Sequence, residues 1–282
     1  MTDCIFVSDL HGRMDRCRKF FGVISAEMPK AVFVGGDIMP RFSVRGAPAD
    51  FIGEFFLAEL SRLRDALGGA YPRVFVILGN DDGRAVEKSL VAADERGLLS
   101  YMHGRKEAFG RWMVYGYSFA PPSPFLLKDW ERYDVSRYVD PGCVSPEEGW
   151  RTVEIDPDEA RFATIAQDLD ALAGADDLEN AVFLFHAPPH ESNLDRAALD
   201  GKSIDHAPLD VHIGSIAIRR FIEAGQPLLT LHGHIHESAR ITGSWRDRFG
   251  RTVALSAAHD GPELALVRFD LEDPSSASRE LL

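Results

Sequence analysis

Three histidines stand within five residues of the stretch Leu231–Ser238: His232, His234 and His236, with Gly233 between the first two. Neutral imidazole is the commonest side-chain ligand for a metal ion, and alternate residues of an extended segment point the same way. That spacing lets the side chains converge on one ion, while Gly233 permits a tight turn or a close backbone approach. His232, nearest the preceding apolar run Pro227–Leu231, is expected to point back toward a sheet.

Four more apolar runs end in metal-ligand chemistry. Asp9 and His11 follow Cys4–Val7, Asp37 follows Ala31–Val34, Asn80 follows Val74–Leu78, and His186 follows Ala181–Phe185. A single aspartate or histidine after a strand is ordinarily a turn former or a helix cap. Packing does not explain such residues at the ends of five strands in series. In open α/β sheets, sites form beyond the carboxyl ends of the strands, so a parallel sheet would bring these residues to one edge. Carboxylate, imidazole and amide oxygen, without thiolate, suit manganese, iron, zinc or nickel. Asp9, His11, Asp37, Asn80, His186, His234 and His236 exceed the four ligands of one tetrahedral ion. Two ions sharing a bridging carboxylate fit that number, and two ions about 3.5–4 Å apart clamp a phosphoryl group and generate hydroxide at neutral pH.

Asp9-x-His11, Gly36-Asp37, Gly79-Asn80, His186 and Gly233-His234-x-His236, in that order, resemble the five motifs of the calcineurin-like metallophosphoesterases. The motifs run from residue 9 to residue 236 and cover most of the chain. The resemblance implies an α/β fold, a four-layer α/β/β/α sandwich with two central sheets. It implies that Asp9, His11 and His236 bind a first metal, that Asp37 bridges to a second, and that Asn80, His186 and His234 complete the second site. It also implies a di-metal-dependent phosphoesterase in which a metal-bridging hydroxide attacks phosphorus in line. Phosphodiesters are expected ahead of monoesters, and manganese ahead of iron, zinc or nickel.

One position departs from the pattern. The family's third motif usually reads Gly-Asn-His and then an acid; here it reads Gly79-Asn80-Asp81-Asp82. The usual histidine contacts phosphate and is a candidate donor to the leaving group. An aspartate beside divalent cations has no proton to give and repels an anionic substrate. Asp81 is therefore expected to orient a neighbour or cap the following helix, and His190 and His212 become candidates for the missing acid. Elsewhere, His103, His206 and His259 are expected at the surface or in polar networks. Asn193 and Asp195 are read either as loop residues or as contacts to substrate. Phe125, Trp130 and Tyr133 are expected to line a pocket or to anchor an insertion.

The elements that must position these groups follow from the spacing of apolar residues. Strands are predicted at Cys4–Val7, Ala31–Val34, Val74–Leu78, Ala181–Phe185, Pro227–Leu231, Thr252–Ser256 and Leu264–Asp270, with a hairpin over Lys106–Tyr117. Cys17, Phe20, Phe21, Ile24 and Met28 recur at helical spacing, as do the apolar positions from Ile52 to Leu67. Further helices are expected over 84–95, from Phe162 to Leu172, and over Ile213–Ala224. Residues 118–158 read as a long insertion or lid, 191–211 as a polar loop, and 274–282 as a frayed polar tail behind a single domain of residues 1–273.

Composition removes several function classes. Hydrophobic residues make up 45% of the 282, enough for a large core. A formal charge of −13 argues against an extended nucleic-acid face, though not against a small phosphate ester held by cations. Cys4, Cys17 and Cys143 form no C-x-x-C pair, no apolar stretch reaches membrane-spanning length, and Met1 opens no basic leader, so a cytoplasmic location is expected. The alternatives are a phosphomonoesterase, a single-metal hydrolase of carboxyl derivatives, and a non-catalytic binding scaffold of the same fold. The last should have lost metal ligands, and all seven are present.

Overall fold

The computed structural model describes residues 3–40 and 47–282. Strands and helices alternate first as β1 (Asp3–Val7), α1 (Met14–Glu27), β2 (Ala31–Gly35), α2 (Ala58–Leu67), β3 (Arg73–Ile77) and α3 (Glu87–Glu95). β4 (Ser100–Tyr101) and the hairpin β5 (Arg105–Phe109) and β6 (Trp112–Tyr117) follow, then helices α4 (Pro157–Phe162) and α5 (Ile165–Ala173) and strand β7 (Ala181–Phe185). A small hairpin, β8 (Ser203–Ile204) and β9 (Ala207–Pro208), precedes α6 (Ile216–Gly225), β10 (Leu229–His232) and α7 (Ser238–Thr242). The last strands are β11 (Arg246–Phe249), β12 (Thr252–Ser256), β13 (Ala265–Asp270) and β14 (Asp273–Leu281).

Among the described residues these strands build two six-stranded sheets, ordered β14-β13-β1-β2-β3-β4 and β11-β12-β10-β7-β6-β5. Successive side chains of a strand face opposite ways. Phe6, Phe33, Phe75 and Ile77 of the first sheet therefore meet Val114, Val182, Leu184, Leu229, Leu231 and Leu255 of the second. Their neighbours Ile5, Val7, Val32, Val34, Val74 and Val76 join a different cluster with Cys17, Phe20, Ile24 and Leu60 of the helices. On the far side Phe183 and Phe185 pack with Ile165, Leu169, Ile218 and Ile222. Helix, sheet, sheet and helix make four layers. Both faces of the central strands are buried, which is why they read as unbroken apolar runs.

Four expectations are revised. The ligand-bearing strands do not share one parallel sheet: β1, β2 and β3 lie in one sheet, β7 and β10 in the other. Sheet membership is set by inter-strand pairing, which apolar runs do not encode. The second helix is π-helical over Phe51–Leu57 before becoming α2. The helix expected from Phe162 is split, because Thr164 and Gln167 form a capping box that starts α5 afresh. The tail does not fray: β14 pairs with β13 along its length, and Pro274 and Ala277 turn inward as the edge strand of the first sheet.

The insertion at 118–158 is anchored to the body. Trp130 and Tyr133 are buried while Phe125 is exposed. The Asp129 carboxylate accepts the Arg84 N–H at 2.7 Å, and Asp134 accepts the Ile216 N–H at 2.7 Å at the start of α6.

Candidate metal centre

The C-terminal ends of β1, β2 and β3 meet those of β7 and β10 across the gap between the sheets. Within the first sheet, the Asp9 N–H donates to Gly36 O at 3.0 Å and the His11 N–H to Asp37 O at 2.8 Å, which stitches the first two loops together. Between the sheets, His186 Nδ1 lies 2.8 Å from Gly35 O, and the His234 N–H donates to Asp9 Oδ1 at 3.1 Å. The Gly233 N–H donates to His186 O at 2.9 Å, tying the two loops of the second sheet.

Asp9, His11, Asp37 and His236 offer donor atoms that all lie within 4.8 Å of one another. His11 Nε2 is 3.0 Å from His236 Nε2, and His236 Nε2 is 3.3 Å from Asp9 Oδ1. Alongside this group, His186 Nε2 is 3.0 Å from Asn80 Oδ1, and the His186 and His234 ring centres are 5.0 Å apart. Asp37 faces both groups, with Oδ2 3.7 Å from His11 Nε2 and Oδ1 3.5 Å from His186 Nε2. All seven sequence-predicted ligands thus come together.

The backbone is bent to achieve this. Asp9, His11, Asp37 and His234 have φ of 56°, 47°, 53° and 75°, a left-handed region that non-glycine residues rarely occupy. Strain of this kind persists where the surroundings enforce it and gathers at functional sites. The loops also approach too closely for side chains at the glycines. A Cβ on Gly36, itself at φ 94°, would lie 2.8 Å from His186 Nδ1, and one on Gly233 would lie 2.8 Å from Asp9 Oδ2.

Buried carboxylates are concentrated here. Asp9, Asp37 and Asp82 are all essentially buried. Burial, then the charges of Asp81, Asp82 and Asp9, push the Asp37 carboxyl well above the usual carboxylate range. Burial acts the same way on Asp9, but the hydrogen bond from His236 and the nearby histidines overcome it and hold that carboxyl below its ordinary value. Burial lowers His186, keeping a neutral imidazole as a metal ligand must be. Facing imidazole nitrogens amid buried carboxylates are the donor set a divalent cation would relieve.

The sequence over residues 4–238 matches the family model for calcineurin-like phosphoesterases. The chain belongs to that family. A calcineurin-like phosphoesterase is a metal-dependent phosphoric ester hydrolase, and the Asp/His cluster supplies the means to bind metal. Comparison with curated proteins gives no match. Among solved structures the fold is similar to TT1561 of Thermus thermophilus, with 15% identity over 99% of this chain and 98% of that one and a TM-score of 0.57. It is also similar to a dimetal phosphatase from Danio rerio, with 13% identity over 94% and 91% of the chains and a TM-score of 0.51.

Two residues of this phosphoesterase site escape a reading of motifs alone. Asp82 is fully buried, and its carboxylate accepts the N–H groups of Met39, Gly79 and Ile38 at 2.7, 2.9 and 3.2 Å. It therefore clamps the loop after β2 to the loop after β3; burial pushes it up to about 6. Arg16 is buried on α1 and donates through Nη1 to Asp9 O at 2.9 Å and through Nη2 to Gly261 O. A signal existed for Arg16: it stands four residues before Phe20, on the apolar face of its helix.

Asp81 lies within the loop, where its N–H donates to Asp37 Oδ1 at 2.9 Å and its Oδ2 is 3.6 Å from His11 Nδ1. The next helical turn begins at Arg84 behind Gly83, so the carboxylate faces a candidate ligand rather than a helix end. His190 and His212 sit with Asp210 and Asp195, at 3.3 and 2.8 Å. Asp195 is buried and ties its own loop, accepting from Glu191, Ser192 and Gly214 N–H groups. The Asn193 backbone carbonyl accepts the hydroxyls of Ser238 and Thr242 at 2.7 and 3.0 Å. His232 points into the sheet as expected, 2.8 Å from Thr230 Oγ1 and 2.9 Å from Ala187 O. His103 is a polar-network residue, its Nδ1 accepting the Ser118 N–H at 3.1 Å; the ring packs against Trp130 and Phe119, and burial lowers it to about 3. His206 is exposed in the β8–β9 turn. Beside His11 and His236 opens a cleft of about 830 Å³, also lined by Arg13, Arg18, Arg240 and His259.

Proposed function

We propose that this phosphoesterase is a dinuclear phosphodiesterase of small phosphate esters. Asp9, His11 and His236 would hold one ion, Asn80, His186 and His234 the other, and Asp37 both. Asp37 carries the reading: one of its oxygens faces His11 and the other faces His186. The mix of carboxylate, imidazole and amide oxygen favours manganese, with iron, zinc or nickel as substitutes. Bound there, two divalent ions would supply Lewis acidity toward phosphoryl oxygens and lower the pKa of water. The remaining work belongs to the protein. Asp82 fixes the loops of Asp37 and Asn80, Arg16 fixes the Asp9 loop, and Arg13 and Arg18 line the cleft where an anionic ester would enter. Asp81 favours diesters, because an extra negative charge repels a doubly charged monoester more than a singly charged diester. A reducing, cytoplasmic setting suits the free cysteines Cys4, Cys17 and Cys143.

The test is hydrolysis of a bis-aryl phosphate beside an aryl phosphate monoester, by metal-stripped protein reloaded with manganese and by an Asp37→Ala control. We expect diester turnover that the control lacks. Faster monoester turnover would replace the diesterase reading with a phosphomonoesterase; bound metal with turnover of neither ester would favour a binding scaffold.

A further inference from the structure

The third motif lacks its histidine, yet the cleft beside His11 and His236 holds another imidazole. His259 follows β12, and β12 runs parallel to β10 as its neighbour, with Ser256 opposite His232. The Ala257 N–H donates to His232 O at 3.1 Å, so the chain leaves β12 at the same edge as His234 and His236. On its other side the loop is tied to the Asp9 loop by Arg16, whose guanidinium donates to both Asp9 O and Gly261 O. The His259 loop is thus held between two of the metal-site loops by one buried side chain and one strand pairing.

The imidazole is itself oriented. His259 Nε2 lies 3.0 Å from Glu263 Oε2. A Cβ at residue 261 would overlap both His259 Nε2 and Glu263 Oε2, so glycine there makes room for the pair. The adjacent Asp260 is engaged by Arg240, whose Nε donates to Oδ2 at 2.7 Å. Among the described residues lining the cleft, His11, His236 and His259 are the imidazoles, and the first two belong to the metal centre.

We propose, resting on the phosphoesterase reading above, that His259 held by Glu263 is the proton donor to the leaving group, in place of the histidine that Asp81 has displaced. In this step Nε2–H is directed to Glu263, and Nδ1 is the nitrogen that faces the leaving group. As water adds to phosphorus and gives up one proton to solvent, the phosphorus–oxygen bond to the leaving group breaks and Nδ1–H passes its proton to the departing oxygen. The alcohol leaves neutral, and the partly exposed imidazole regains its proton from solvent. Glu263 is a positioning residue that fixes the tautomer and stabilises the charged ring.

The experiment compares the whole protein with His259→Gln and Gly261→Ala, the second separating the pair without replacing either member. Aryl and alkyl phosphate diesters of rising leaving-group pKa are hydrolysed by each. We expect a shallow dependence in the parent and a steep one in both variants: nitrophenyl release within a few-fold of the parent, and release of the poorest leaving group down about 10²-fold or more, the scale of general-acid catalysis. Metal content should equal that of the parent. Independently, in zinc-loaded protein carrying ¹⁵N-histidine, added inorganic phosphate should move the His259 ring resonances. Equal losses across all leaving groups, or no loss on the poorest, would overturn the proposal, as would ring resonances unmoved by bound phosphate. A parent that binds metal but turns over no ester fails the phosphodiesterase reading instead, and the phosphate titration then decides His259 alone.

Discussion

The two sheet edges that meet at the metal centre are chemically unequal. Among the candidate site residues described, the edge of β1, β2 and β3 brings the acids Asp9, Asp37, Asp81 and Asp82 with Asn80 and His11, and the edge of β7 and β10 brings the imidazoles His186, His234 and His236. The acidic edge holds its own shape. Asp82 accepts three backbone N–H groups, and the His11 N–H donates to Asp37 O. The histidine edge is tied within itself by the Gly233 N–H to His186 O and is also set from outside, with His186 against Gly35 O and the His234 N–H directed to Asp9. Neither edge carries all of the proposed ligands, so the proposed site spans the sandwich interface.

Replacing Asp37 should have the largest effect, because its two oxygens face the two halves. Asp37→Ala should lower kcat/KM by at least about 10²–10³-fold, the scale for losing one electrostatic stabiliser, with metal per chain falling in parallel by elemental analysis. Gly233→Ala tests whether the edges must touch. Its Cβ would press on Asp9, so we expect a loss of roughly 1–3 kcal/mol in denaturant unfolding together with weaker metal binding. Asp82→Asn should act on the acidic edge alone, weakening metal affinity about 10–100-fold by calorimetry while the His186–Gly35 contact survives.

His103 offers the smallest effect and a control outside both edges. Its folded value of about 3 lies below the reference of about 6.5, because burial disfavours the charged ring. Its stabilisation is therefore full above pH 6.5 and is lost as pH falls toward 3. His103→Gln should flatten the fall in thermal midpoint between pH 6.5 and 4 and leave turnover at pH 7.5 near that of the parent.

This inequality explains what was legible in the sequence. Each ligand follows an apolar run that becomes a strand, so the five motifs and their strand-end placement could be read directly. The split of those strands between two sheets could not be read from the runs, since Val74–Leu78 and Ala181–Phe185 look alike whichever sheet they join; the family resemblance implied two central sheets but not which strands each holds. Asp82 stood in a quoted motif with no role, because its work is to accept three N–H groups brought together only by folding. β14 was hidden for a related reason. Its polar, serine-rich residues pair on one side as an edge strand, and such a strand carries little apolar signal. His259 looked like one more polar-network histidine until β12 proved to be the parallel neighbour of β10.

In the proposed site the two edges together bind two ions, with Asp37 between them. Anomalous diffraction from crystals of the manganese-loaded protein tests it most directly. We expect two peaks roughly 3.5–4 Å apart, one against Asp9, His11 and His236 and the other against Asn80, His186 and His234. A single peak held by the Asp9 group alone, at saturating manganese, would contradict it.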